Sequence, residues 1–121
     1  MAQTSKKVLV VEDEKPLAHA LELKLQKEGH DVTIAHNGQE AVDLLLKNKY
    51  DIVLLDLMMP IMNGFQVLEK VQAHGDMPYV IVLSNLTQPE DEDRVMKLGA
   101  QKLLIKSDTP LSRVIEEIDQ L

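Results

Sequence analysis

The sequence has no cysteine and no tryptophan, and its aromatic residues are two tyrosines and one phenylalanine (Tyr50, Tyr79 and Phe65). Without cysteine there is no disulfide scaffold, no thiolate metal site and no thiol nucleophile. With so few aromatic rings there is no base-stacking platform and no aromatic cage for a cation. Basic residues are also scarce: 13 against 20 acids, a formal net charge of -7. Such a chain repels phosphate backbones, so no direct nucleic-acid contact is expected of it. Long hydrophobic runs are missing at the start of the chain, where Met-Ala-Gln-Thr-Ser-Lys-Lys leads into only Val8 to Val11 before Glu12. That run is too short for the apolar region of a signal peptide or for a membrane span. A cytoplasmic protein with no membrane partner is expected. No glycine-rich nucleotide loop and no Gly-x-Ser-x-Gly motif occurs.

What the sequence does have is aliphatic. Hydrophobic residues make up 45% and charged residues 27% of 121 residues, a balance that excludes a disordered chain. The length suits one domain with one core. A single domain over 1–121 is expected, with 1–6 as a flexible N-terminus.

Apolar runs alternate with amphipathic stretches. Val8 to Val11 reads as a strand buried on both faces. Pro16 suits a first helical turn; Leu17, Leu21 and Leu25 follow at spacing four, and Gly29 ends the helix. Asp31 to Ala35 predicts a second, partly polar strand near a sheet edge. Asn37-Gly38 reads as a turn, and a second helix follows through Ala41, Leu44 and Leu45 to near Tyr50. Asp51 to Leu57 predicts a third strand, apolar inside except for Asp56. Met58 to Gly64 is a loop, and a third helix carries Val67, Leu68 and Val71. Tyr79 to Leu83 is a fourth strand closed by Ser84. Pro89 precedes a fourth helix that Gly99 stops. Lys102 to Lys106 is a fifth strand, and Asp108-Thr109-Pro110 offers a cap and a proline start for a fifth helix. Five strand–helix units with short connections imply an α/β fold with a parallel sheet covered by helices on both faces. In such sheets ligands bind at the carboxyl ends of the strands.

Those ends are polar. Strand 1 ends in Glu12-Asp13, strand 3 in Asp56, strand 4 in Ser84 and strand 5 in Lys106. Each residue has a plainer reading by itself. Glu12 and Asp13 suit a helix start, a serine often ends a strand, and a lysine is commonly solvated. Asp56 resists such a reading, because a carboxylate inside an apolar run is costly unless paired or bound to a cation. Three neighbouring carboxylates repel one another and call for a cation. Hard oxygen donors favour Mg²⁺, which is typically held by one or two carboxylates and a phosphate. A positioned carboxylate can attack phosphorus and form an aspartyl phosphate. Phosphoryl transfer then needs its equatorial oxygens neutralised, which an ammonium and a hydroxyl at Lys106 and Ser84 suit.

The matching residues Val-Val-Glu-Asp-Glu, Asp-Ile-Val-Leu-Leu-Asp-Leu-Met-Met-Pro-Ile-Met-Asn-Gly, Leu-Ser, Gly-Ala and Ile-Lys make the sequence resemble the receiver domain of two-component response regulators from about Lys7 onward. The resemblance implies a (βα)5, flavodoxin-like three-layer αβα sandwich with a five-stranded parallel sheet in the order 2-1-3-4-5. It implies that Asp56 is the phosphoryl acceptor. Asp13 and Asp56 would bind Mg²⁺ directly, Glu12 mostly through water, and Met58 through its backbone carbonyl. Ser84 would hydrogen-bond the phosphoryl group and Lys106 would pair with it. The donor would be a phosphohistidine on a sensor histidine kinase or a phosphotransfer protein, and the readout a downstream effector protein or output domain. Two other readings are an interaction module of receiver fold that never accepts phosphate and an aspartyl-nucleophile phosphohydrolase. The phosphohydrolase usually has a second acid two residues after the first, where this chain has Met58. The length suits equally a stand-alone receiver or one drawn from a longer regulator.

The sequence departs from the family pattern in four ways, at five positions. Glu12 stands where many receivers have aspartate; it reaches further but still offers oxygen ligands. Ser107 replaces the proline after the lysine, whose peptide bond is often cis in the family, and a trans bond is expected here, since a non-proline cis bond costs about 3–4 kcal/mol. Leu103 replaces the usual aromatic switch residue, so an inward-swinging ring cannot be the main switch. Met58 and Leu86 flank the path of attacking water, and neither can orient it, which predicts a long-lived aspartyl phosphate. Glu90 to Asp93 suit a helix start, Leu23 falls off the leucine stripe and should be exposed, and His19, His30, His36 and His74 have no metal-ligand spacing and read as surface residues.

Overall fold

The computed structural model describes residues 5–85 and 88–121. Five strands alternate with five helices: β1 Lys7–Val11, α1 Lys15–Lys27, β2 Asp31–Ala35, α2 Gly38–Lys47, β3 Ile52–Leu55, α3 Gly64–His74, β4 Tyr79–Ser84, α4 Pro89–Lys97, β5 Lys102–Ile105 and α5 Leu111–Asp119, with a 3-10 turn at Lys106–Asp108. All neighbouring strands pair in parallel. The order is β2-β1-β3-β4-β5, which makes β2 an edge as its polar composition predicts.

Strand pleating explains the two-sided core. Val8, Val10, Ile52, Leu54, Ile81 and Leu83 point to one face and meet Leu21 and Leu25 of α1 with Val114, Ile115 and Ile118 of α5. The alternate residues Leu9, Val11, Val53, Leu55, Val80 and Val82 point to the other face and meet α2, α3 and α4 through Ala41, Val42, Phe65, Leu68, Val71 and Val95. Successive strand residues face opposite sides, so a strand buried on both faces must be apolar throughout. Leu23 is 53% exposed, off this stripe as expected.

Several elements differ locally from the sequence expectation. Asn37-Gly38 is not a separate turn: Asn37 caps α2, its side chain accepting from the Glu40 N–H. α2 ends at Lys47, short of Tyr50, and β3 ends at Leu55, so Asp56 and Leu57 lie past the ladder. Lys106 belongs to the 3-10 turn rather than to β5, and the N-cap of α5 is Pro110, with no side-chain cap. His30 is buried, not superficial, while His19, His36 and His74 are exposed. The Lys6 backbone N–H donates to His30 Nδ1 at 3.2 Å, so it is the Nε2–H that donates to Asp119 Oδ1 at 2.8 Å. Lys6, expected to lie in a flexible N-terminus, is itself buried, and its carbonyl accepts from the Asp31 N–H at 2.9 Å. Residues 1–4 and Leu86 lie outside the described residues. Among the described residues no helix is long and apolar enough to cross a membrane.

Candidate functional site

The parallel pairing brings the polar strand ends to one edge. Beyond β1, the Glu12 N–H donates to the Ala35 carbonyl at 3.0 Å, and beyond β3 the Asp56 N–H donates to the Val11 carbonyl at 3.1 Å. Both acids therefore sit one step past the apolar ladder, held by the last sheet bonds. Ser84 is fully buried at the end of β4, in register with Ile105. Lys106 follows directly.

One carboxylate oxygen each from Glu12, Asp13 and Asp56 lie within 4.8 Å of one another. Lys106 Nζ reaches into this group, 2.8 Å from Glu12 Oε1, 3.4 Å from Asp56 Oδ2 and 3.6 Å from Glu14 Oε1. The Asp56 Oδ1 accepts from the Met58 N–H at 3.1 Å, and Glu12 Oε2 from the Glu14 N–H at 3.1 Å. The sequence-predicted residues Glu12, Asp13, Asp56 and Lys106 thus meet in one constellation, with the Met58 backbone beside it and Ser84 at the neighbouring strand end. Glu14 is the partner of Lys106 that sequence reading missed. Its only signal was an acid one residue further along the Glu12-Asp13 run.

Charge and burial set the chemistry. Burial raises the Asp56 carboxyl above its usual range, and the Met58 N–H and Lys106 offset this only in part. Burial likewise raises Glu12, opposed by its hydrogen bond from Lys106. For Lys106, burial pulls downward, but Glu12, Asp56 and Glu14 outweigh it and the ammonium is held above its ordinary value. One ammonium faces three clustered carboxylates, so the group carries excess negative charge in a partly desolvated place. The donor set is all hard oxygen, which fits a Mg²⁺-sized cation. Asp13 is the acid of the three outside these bonds, whereas Glu12 and Asp56 each place one oxygen against Lys106 and the other against a backbone N–H.

The loop after Asp56 is held close and stiffly. Gly64 starts α3 where a Cβ would lie 2.7 Å from the Asp56 carbonyl oxygen and 2.8 Å from Leu57 Cα, so no side chain fits. Asn63 and Gln66 form a reciprocal capping box at that helix start, a device worth about 1 kcal/mol. Between them and Asp56, Ile61 has φ 72 and centres a γ-turn in which the Met62 N–H donates to the Pro60 carbonyl at 2.8 Å. A β-branched residue in that region stores about 1–3 kcal/mol of strain. Ile61 is 80% and Met58 62% exposed. Leu103 is partly buried against the core face that α2, α3 and α4 cover. The described residues contain no cis peptide bond, so Ser107 is trans.

Residues 8–118 match the family model for the response regulator receiver domain. The chain belongs to this family: it is a receiver domain of two-component response regulators, a signalling domain. Among solved structures it is similar to the receiver domain of the Francisella response regulator 1452, with 31% identity and a TM-score of 0.88 over 96% of this chain and 95% of that one. It is also similar to the chemotaxis protein CheY4 of Vibrio cholerae, at 26% identity and a TM-score of 0.85, over 97% and 98% of the two chains. A third similar structure is the response regulator protein TrrA of Thermotoga maritima in complex with Mg²⁺ and beryllofluoride, at 27% identity and a TM-score of 0.82, over 95% and 97%.

Proposed function

We propose that this receiver accepts a phosphoryl group on Asp56 from a phosphohistidine and, so modified, changes the surface it offers to an effector. The observation that carries the reading is the buried Asp56 carboxylate, grouped with Glu12 and Asp13 within 4.8 Å and faced by the Lys106 ammonium. In the transfer, an Asp56 oxygen forms a bond to phosphorus while the P–N bond to the donor imidazole breaks and the imidazole keeps the electron pair. Mg²⁺, held by Asp13, Asp56 and the Met58 carbonyl with Glu12 behind it, would neutralise phosphoryl oxygens. Lys106 exchanges a carboxylate partner for the phosphoryl group, and the Ser84 hydroxyl, at the next strand end, donates to it.

The donor is a sensor histidine kinase or phosphotransfer protein, the recipient of the signal a downstream effector or output domain, and the setting the cytoplasm. Leu103 gives the switch a packing change rather than the swing of a ring. Met58 at the second position after the nucleophile disfavours a dedicated phosphohydrolase. The test is incubation with acetyl phosphate and Mg²⁺, followed by intact mass. Gain of one phosphoryl group, lost in Asp56→Asn and in chelator, supports the reading; no gain under any condition leaves a phosphorylation-independent interaction module.

A further inference from the structure

The β4–β5 ladder ends at the pair Ser84↔Ile105. Past it Asn85 follows β4, and β5 turns into the 3-10 turn at Lys106–Asp108. Among the described residues a hydrogen bond still joins the two segments beyond that point. The Ser107 backbone N–H donates to Asn85 Oδ1 at 2.8 Å. Its two ends are the residues directly after Ser84 and directly after Lys106, the hydroxyl and the ammonium of the candidate site. Both residues also line a cleft of about 530 Å³ that runs along Lys106 to Leu17 and Val114.

We infer that Asn85 is a positioning residue, which through the Ser107 N–H holds the Lys106 turn at a fixed distance from the Ser84 strand end. This rests on the phosphoryl-acceptor reading above. Lys106 must reach three carboxylates from one backbone position, and its side chain is only 14% exposed. Its backbone lies in a single 3-10 turn with no side-chain cap, so local structure alone holds it weakly. A side-chain carbonyl extends the sheet's bonding by one step at that place. The bond exists only because residue 107 has an N–H; the proline that the family pattern places there has none. Asn85 and Ser107 are therefore a matched pair: the amide acceptor replaces the rigidity that a proline ring would supply.

The test is a double-mutant cycle on the rate of phosphorylation by acetyl phosphate with Mg²⁺, using the unaltered chain, Asn85→Ala, Ser107→Pro and the double variant. Asn85→Ala should slow the reaction about five- to tenfold in the unaltered background, the scale of one hydrogen bond, and less than about twofold in the Ser107→Pro background. The half-saturating Mg²⁺ concentration should stay within about twofold, because the acids lie on the β1 and β3 side; a general structural defect would move both. Equal slowing in both backgrounds, or none in either, overturns the inference while leaving the acceptor reading intact. No phosphorylation of the unaltered chain overturns both. Should Ser107→Pro fail to fold, amide hydrogen exchange decides. The Ser107 N–H should be protected in the unaltered chain and in Asn85→Asp, which retains Oδ1, and exposed in Asn85→Ala; protection that survives in Asn85→Ala overturns the inference.

Discussion

Replacing Asp56 with asparagine should stabilise the metal-free protein, although Asp56 is buried and hydrogen-bonded. The clustered oxygens of Glu12, Asp13 and Asp56 lie within 4.8 Å of one another. At an effective dielectric constant of about 20, each like-charged pair at that spacing repels by roughly 3–4 kcal/mol. Asp56 feels two such neighbours. Against them stands Lys106 Nζ at 3.4 Å, an attraction of about 5 kcal/mol on the same scale. The charge on Asp56 is thus left unfavourable by about 2 kcal/mol, and burial adds to that. Asparagine keeps the size and can still accept the Met58 N–H. For a domain of this length, 2 kcal/mol moves the thermal midpoint by roughly 6–10 °C. Because burial raises the Asp56 carboxyl above its ordinary 3.8, the folded form takes up a proton before the unfolded form does as pH falls. Stability is therefore lost as pH rises from 3.8 through the folded value, and the gap between the two proteins should open in that direction. Thermal unfolding in chelator measures it. Added Mg²⁺ should stabilise the unaltered chain more than the variant, which has lost a ligand. An asparagine variant that melts lower than the unaltered chain in chelator at neutral pH would refute the reasoning.

Other consequences can be checked separately. Gly64→Ala should destabilise the fold by about 2–4 kcal/mol, because its Cβ would meet the Asp56 carbonyl and the Leu57 backbone rather than a flexible side chain; urea unfolding within about 0.5 kcal/mol of the unaltered chain would contradict this. Glu117 accepts from Lys102 Nζ at 2.5 Å and is paired by Arg113, and the Lys102 hydrogen bond holds its carboxyl below the ordinary 4.5. That stabilisation is present in full above 4.5 and is lost as pH falls toward the folded value, so urea midpoints of the unaltered chain and Glu117→Gln should differ at neutral pH and converge in acid. Met58→Asn should shorten the phosphoryl lifetime by giving the exposed position a group that can orient water; release from the unaltered chain within seconds would contradict a long-lived aspartyl phosphate.

The parts of this molecule that were legible in the sequence are those written in local pattern. Asp56 stands out because a carboxylate interrupts an apolar run, and strand–helix alternation puts its strand end at the same sheet edge as those of Glu12 and Lys106. Features set by contacts distant in sequence were hidden. His30 reads as a surface residue because Asp119, which accepts the hydrogen bond from its ring, lies at the other end of the chain. The end of β3 was misplaced because Leu57 is apolar and buried like a strand residue, whereas the tight approach of Gly64 turns the chain there. Asn85 carries no signal at all: its partner is a backbone N–H whose presence is notable only where proline is expected. Asn37-Gly38 was half legible, since the same asparagine chemistry serves a turn and a helix cap.

The most direct measurement is the position of the phosphoryl group. After phosphorylation with acetyl phosphate and Mg²⁺, borohydride reduces an aspartyl phosphate to homoserine, which peptide mass spectrometry can locate. Homoserine at position 56, absent without Mg²⁺ and absent in Asp56→Asn, is the predicted result. Homoserine at Asp13 or elsewhere, with position 56 still aspartate, would contradict the account.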